Sequence, residues 1–203
     1  MSACFSKDGR RLFSSGGDMH VRVWDPQTGE CLQVLAEHTG TVWRVRLSPD
    51  GALLASSSMD SSVVLWDVPA DQAAKVTWRS TASVHASNIT GCDFAPDGRM
   101  VATCSGDKTA RVASVDGLQS ALQVFAGHTS LVRDCLWTLD GRQLVTGAYD
   151  NTLRLWTLPP HAQPYQWALG NILTLIMVGR RKHRIAVRHQ TVPRPVCLLP
   201  PGR

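Results

Sequence analysis

Apolar and polar positions change places over short distances along this chain. Runs of four to six β-prone residues, such as Val42–Leu47, Leu53–Ser57, Val63–Trp66 and Leu153–Trp156, stand between clusters of turn-forming residues. The punctuation is regular. Asp-Gly dipeptides fall at Asp8-Gly9, Asp50-Gly51, Asp97-Gly98 and Asp140-Gly141, each flanked by apolar-rich runs. Such a pair suits a tight hairpin turn, because glycine supplies the positive φ that the turn needs. Ten residues after each of these aspartates comes a second one, at Asp18, Asp60, Asp107 and Asp150. Six residues beyond three of the second aspartates lies Trp24, Trp66 or Trp156, and 22 residues before three of them lies His38, His85 or His128. The second aspartates are 42, 47 and 43 residues apart. Several offsets recurring together at a period of roughly 40–45 residues predict a propeller blade of four strands per unit.

The residues Val21-Arg22-Val23-Trp24-Asp25, Val63-Val64-Leu65-Trp66-Asp67, Gly127-His128 and Leu153-Arg154-Leu155-Trp156 resemble the WD-repeat, or β-transducin-like, family. The resemblance covers Ala3 to about Thr157. It implies an all-β fold: an incomplete WD-repeat β-propeller of about four four-stranded blades, followed by an irregular C-terminal tail. The blades would occupy about 1–37, 38–84, 85–126 and 127–157. The last would reach 178 if Ile172–Val178 forms its outer strand. Residues 179–203 would be a basic, Pro-containing, disordered tail.

Ser or Thr, His and Asp together also invite a hydrolase reading. A catalytic triad is assembled once, in a pocket. Here the set recurs at constant offsets, with Ser or Thr always four residues before the second Asp. The family resemblance implies a structural network of Ser14, Asp18 and Trp24; His38, Ser56, Asp60 and Trp66; His85, Thr103 and Asp107; and His128, Thr146, Asp150 and Trp156. Such buried polar groups are tolerable only when each finds a partner. The units are unequal. The first has no histidine, and the third has Ala113-Ser114 in place of Trp-Asp, which predicts a shortened network and a softer blade. The fourth reads Trp156-Thr157, while Glu37 and Val84 precede His38 and His85 where the family favours Gly.

Composition changes this picture mainly at the C-terminal end. The net charge of +5 divides into 14 basic against 16 acidic residues through Trp156, then 7 basic and no acidic residues over 157–203. The body therefore offers no broad electrostatic attraction for nucleic acid. Ala168–Gly179 is apolar but shorter than the roughly 20 residues of a spanning helix, so no membrane span is expected. Arg180-Arg181-Lys182-His183-Arg184 resembles a weak nuclear-localisation or nucleic-acid patch. The abrupt change of composition suggests an alternative exon, read-through or frame change. The six cysteines show no Cys-x-x-Cys spacing, which points to a reducing compartment and away from a zinc site. With no apparent signal sequence, the expected location is intracellular, cytoplasmic or nuclear.

The expected function is a non-enzymatic protein-interaction scaffold, within a fragment or isoform of a longer WD-repeat protein, with other proteins as partners. The resemblance places partner contacts three and five residues after the histidine and just before the second aspartate. These positions are Thr41, Trp43 and Met59; Asn88, Thr90 and Gly106; and Leu131, Arg133 and Tyr149. Trp43 also has an alternative role, packing between blades. Some family members that serve as ubiquitin-ligase receptors carry Arg two positions after Trp-Asp; Gln27 and Pro69 stand there instead. The alternative function is nucleic-acid binding or nuclear targeting through the basic tail. An enzyme gains no support, since no phosphate-cradling loop, metal spacing or unique nucleophile is present, and no cofactor is expected. Four blades cannot complete the seven-bladed ring common in the family. The flanks of the first and fourth are therefore expected to expose apolar surface and to favour self-association.

Overall fold

The computed structural model describes residues 1–158, together with the backbone of two later strands at 172–176 and 186–190. Four antiparallel sheets follow one another along the chain. The first contains β1 (Ser2–Phe5), β2 (Leu12–Ser15), β3 (Val21–Trp24) and β4 (Cys31–Leu35). The second contains β5 (Val42–Leu47), β6 (Leu53–Ser58), β7 (Val63–Asp67) and β8 (Thr77–Ala82). The third contains β9 (Ile89–Phe94), β10 (Met100–Ser105), β11 (Thr109–Ser114) and β12 (Ala121–Ala126), with a short 3-10 turn at Val115–Gly117. The fourth begins with β13 (Val132–Trp137), β14 (Gln143–Ala148) and β15 (Thr152–Thr157).

The end of the fourth sheet departs from the expected pattern. Its outer strand β16 runs Ile172–Ile176, and β17 (Ala186–Gln190) pairs with it as a fifth strand inside the segment expected to be irregular. The physical reason is the free edge of β16, whose unpaired N–H and C=O groups can template another strand. The Arg180–Arg184 patch and the proline-containing end lie outside the described residues.

Turn chemistry sets these hairpins. Gly9, Gly51, Gly98 and Gly141, the second residues of the four Asp-Gly pairs, all have φ between +67° and +82°. A β-carbon strains that backbone, so glycine is the natural occupant. The aspartate secures the same turn from its side chain: Asp50 Oδ1 accepts from Ser48 Oγ at 2.5 Å and from the Ala52 N–H at 3.0 Å. The residues after the second aspartates are Met19, Ser61, Lys108 and Asn151, and all four are also left-handed, although none is glycine.

Strand alternation then decides which way each side chain faces, and three apolar joints hold successive sheets together. In the first joint, Phe13, Val21 and Val23 pack against Val45, Leu54, Val64 and Trp66. In the second, Ala55, Val63 and Leu65 pack against Cys92, Phe94, Val101 and Ala113. In the third, Ala102, Ala110 and Val112 pack against Cys135, Leu144 and Trp156. The second and third sheets therefore each present one row of residues to the sheet before and another to the sheet after. Burying a Val or Leu side chain contributes about 1.5–3 kcal/mol, so the joints carry more of the stability than any sheet could alone. Among the described residues, no core cluster joins the fourth sheet to the first.

Candidate functional site

In the second sheet, the loop before β5 is tied to the strands behind it by one directional chain of hydrogen bonds. Trp66 Nε1–H donates to Ser56 Oγ at 2.9 Å. Ser56 Oγ lies 2.8 Å from His38 Nε2, and His38 Nδ1 lies 2.9 Å from Asp60 Oδ2. The carboxylate end assigns the proton on the ring to Nδ1, leaving Nε2 to accept from the hydroxyl. Asp60 also accepts from the Thr39 N–H at 2.9 Å and the Ser62 N–H at 2.8 Å. The fourth sheet repeats this arrangement. Trp156 Nε1 is 2.8 Å from Thr146 Oγ1, which is 2.7 Å from His128 Nε2, and His128 Nδ1 is 2.8 Å from Asp150.

The third sheet keeps half of the chain. His85 bridges Asp107 and Thr103 at 2.9 Å on each side, but Ala113 offers no indole donor to Thr103. The first keeps the other half: Trp24 Nε1–H donates to Ser14 Oγ at 2.8 Å. With no histidine to meet, Asp18 is exposed and pairs with Arg22 instead.

The electrostatics match a neutral histidine beside an ionised carboxylate. Burial lowers the pKa of His38, His85 and His128 despite the adjacent acids. For Asp107, burial pushes upward, but the Thr109 hydroxyl and His85 outweigh it and hold the carboxyl down at about 2. Asp60 and Asp150 are lowered in the same way: burial opposes, and the bonds from Ser62 and Thr152 prevail. Ser56, Thr103 and Thr146 are buried and engaged on the histidine side, so none presents a free hydroxyl to a substrate. Chemically, the arrangement clamps loops to strands.

The positions singled out for partner contact gather where these loops meet the innermost strands. The Met59 N–H donates to the Thr41 carbonyl at 2.8 Å, Gly106 to Asn88 at 3.0 Å, and Tyr149 to Leu131 at 2.9 Å. These bonds bring the two parts of each predicted set together. Trp43 and Arg133 sit at breaks in the β5–β6 and β13–β14 register, and the Arg133 guanidinium carbon lies 5.6 Å from the Trp43 ring centroid. Met59 and Tyr149 are 59% and 65% exposed.

Thr90 lies differently from Trp43 and Arg133. It sits at the matching break in the third sheet, but it is buried, donating to the carbonyls of Cys104 and Val132. Its hydroxyl is short enough to turn back onto the backbone between two sheets, where Trp and Arg must project. Thr90 is therefore turned inward in this chain, unlike Trp43 and Arg133.

Sequence reasoning missed the charges directly below this rim. Arg44 of the second sheet pairs with Asp134 of the fourth, and Arg46 lies 3.9 Å from Asp93 of the third. Gly91 leaves room for the Arg44–Asp134 pair, since a β-carbon there would stand 3.0 Å from Asp134 Oδ1. Burial raises the Asp93 pKa, opposed by the Trp137 N–H, which donates to it at 2.9 Å. The available signal was charge inside the first strands of these three sheets: Arg44 and Arg46 in β5, Asp93 in β9, and Arg133 and Asp134 in β13.

Four antiparallel sheets, stacked joint by joint and clamped by a recurring His–hydroxyl–Asp chain, define a protein built of propeller blades. The WD domain, G-beta repeat family matches residues 1–25, 29–67, 78–113 and 119–157, and the chain belongs to that family. Its relatives include apoptotic protease-activating factor 1 of Rattus norvegicus, 35% identical over 156 residues, covering 76% of this chain and 12% of the relative. Nuclear distribution protein PAC1 of Arthroderma benhamiae is 32% identical over 168 residues, covering 74% and 36% respectively. An uncharacterized WD repeat-containing protein of Schizosaccharomyces pombe is 31% identical over 158 residues, covering 75% and 42%. The chain thus spans less than half the length of each of these relatives. WD-repeat proteins generally act as protein-interaction scaffolds. Among the described residues, no helix is long and apolar enough to cross a membrane, and no three His, Cys, Asp or Glu side chains converge as a metal site.

Proposed function

We propose that this chain is an intracellular protein-binding scaffold, part of a longer WD-repeat protein, that meets its partner through the rim formed by Trp43, Met59, Arg133 and Tyr149. The observation that carries this reading is the Arg133 guanidinium held over the Trp43 ring, with Met59 and Tyr149 exposed on backbone-tethered turns nearby in the repeat. Trp, Tyr and Arg are the side chains that most often dominate binding energy, and pre-ordering them lowers the entropy lost on association. The buried His–Asp chains serve this surface indirectly, by fixing the loops that carry it.

The experiment compares the wild-type chain with Arg133→Ala and Tyr149→Ala in affinity purification from cell extract, followed by direct binding to the recovered protein. Each truncation should weaken that partner by tenfold or more, while thermal unfolding stays unchanged. Undiminished binding by both variants would reject the rim as the contact surface.

A further inference from the structure

Two side-chain bridges cross the third sheet at the rim. Strands β5 and β13 both pack against β9, the innermost strand of that sheet. From β5, Trp43 meets Arg133 of β13, whose guanidinium carbon lies 5.6 Å from the ring centroid. One residue along, Arg44 pairs with Asp134. Between them β9 contributes Thr90, whose hydroxyl turns onto backbone carbonyls, and Gly91, which has no side chain. The bridges therefore close over β9 unhindered, and each fixes its side chains before a partner arrives. Pre-ordering of this kind lowers the entropy lost on association.

The two bridges differ in charge. Arg44 is neutralised by Asp134, and Arg46 below it lies 3.9 Å from Asp93. Arg133 meets the face of an aromatic ring, and among the described residues it has no carboxylate partner. Lys108, exposed at the left-handed turn of the third sheet, also has no ion pair there. The aspartates of the loop clamps are turned away from both. Asp60, Asp107 and Asp150 each face a histidine and the backbone N–H that follows it. Their side chains are only 12%, 11% and 5% exposed. Arg133 and Lys108 are therefore the unpaired cations that the rim offers, with Met59 and Tyr149 as its exposed apolar surface.

Resting on the rim reading above, we propose that the partner is an acidic segment whose Asp or Glu carboxylate binds the free N–H groups of Arg133. An apolar side chain beside that acid packs against Met59 and Tyr149. A guanidinium held over a ring keeps N–H groups for a planar acceptor, and a carboxylate matches them with two parallel bonds. Lys108 adds longer-range attraction for the same acidic segment. A carboxylate fits better than a phosphate because Arg133 offers a single fork. Arg44, the next arginine along, is already held by Asp134 and cannot supply the second that a doubly charged group draws.

The test selects random phage-displayed peptides on the full 203-residue chain, in parallel with its Arg133→Glu variant. The wild-type pool should be enriched in Asp or Glu at a fixed distance from an apolar residue, and the variant pool should lose that enrichment. No enriched pool, a wild-type pool without the acid, or an acidic motif retained by the variant would overturn the proposal. One selected peptide is then synthesised and its binding followed by fluorescence anisotropy. Replacing its acid with the corresponding amide should weaken binding by about tenfold or more. Arg133→Met, which keeps an apolar stem over Trp43 but removes the charge, should weaken it as much. Undiminished binding to Arg133→Met, or tighter binding when phosphoserine replaces the acid, would overturn the carboxylate assignment. Thermal unfolding checks that both variants fold. The two readings fail differently. If Tyr149→Ala weakens the peptide and Arg133→Met does not, the acid is rejected and the rim stands; if neither weakens it, the rim is rejected as well.

Discussion

The second and third sheets begin from the same grammar and solve their buried interior differently. In the second, His38, Ser56 and Asp60 end on the Trp66 indole, which also fills the joint with the first sheet. In the third, His85, Thr103 and Asp107 hold the same distances with no indole behind them. The apolar volume comes from elsewhere: Val115 and Leu118, around the 3-10 turn capped by Ser114, pack with Ala113 into the joint with Ala55, Val63 and Leu65. Strand β10 is buried along its whole length. The comparison separates two jobs that a WD blade usually combines. The His–Asp pair pins a loop by hydrogen bonding, whereas the tryptophan contributes area to a joint, and the first survives without the second.

The largest test of that separation is truncation of the indole. Trp66→Ala and Trp156→Ala should each cost about 3–5 kcal/mol in urea unfolding, because both side chains are almost fully buried. The reverse change in the third sheet should not mend it. Ala113→Trp is expected to destabilise by about 1–3 kcal/mol, since Val115 and Leu118 already occupy the joint. A gain in stability from Ala113→Trp would show that the two sheets differ only by a missing residue.

Next in size is loss of the carboxylate. Asp60→Ala and Asp107→Ala should each cost about 1–3 kcal/mol by leaving a buried histidine unpaired, and by similar amounts if loop pinning is independent of tryptophan. A much smaller loss for Asp107→Ala would tie the two jobs together again.

Acidification should act in two stages, spread across all three pinned loops. The histidine pKa values are lowered in the folded chain, so the unfolded chain binds protons first, and stability falls as pH drops through about 6.5. The paired carboxylates are lowered too, so their contribution is present above about 3.9 and is lost as pH falls from there toward the folded value, about 2 for Asp107. Stability that rises between pH 7 and pH 5 would contradict the neutral-histidine assignment. The smallest stability effect belongs to the rim: Arg133→Ala and Tyr149→Ala should change unfolding by no more than about 0.5 kcal/mol, marking these side chains as available for binding.

Much of this protein is legible from spacing because its important partners lie at constant separations. Each His–Asp contact spans 22 residues, each His–hydroxyl contact 18, and each hydroxyl–indole contact 10. A hairpin converts such an offset into a fixed position across the sheet. Asp18 is where the same offset loses its meaning, because the histidine that would meet it is absent and Arg22 takes its place. Thr90 occupies the same repeat position as Trp43 and Arg133, yet it bonds inward, because side-chain length decides reach where the offset decides only place.

The sequence by itself therefore determined the repeat, its turns and the hydrogen-bonding groups within each sheet, since all of these depend on local register. Only the tertiary structure decided how separate sheets meet. It placed Arg44 beside Asp134 over Gly91, and it showed β17 adding to the free edge of the fourth sheet. It also defined the three apolar joints between successive sheets. These contacts depend on the distance and angle between sheets, for which no constant spacing along the chain exists.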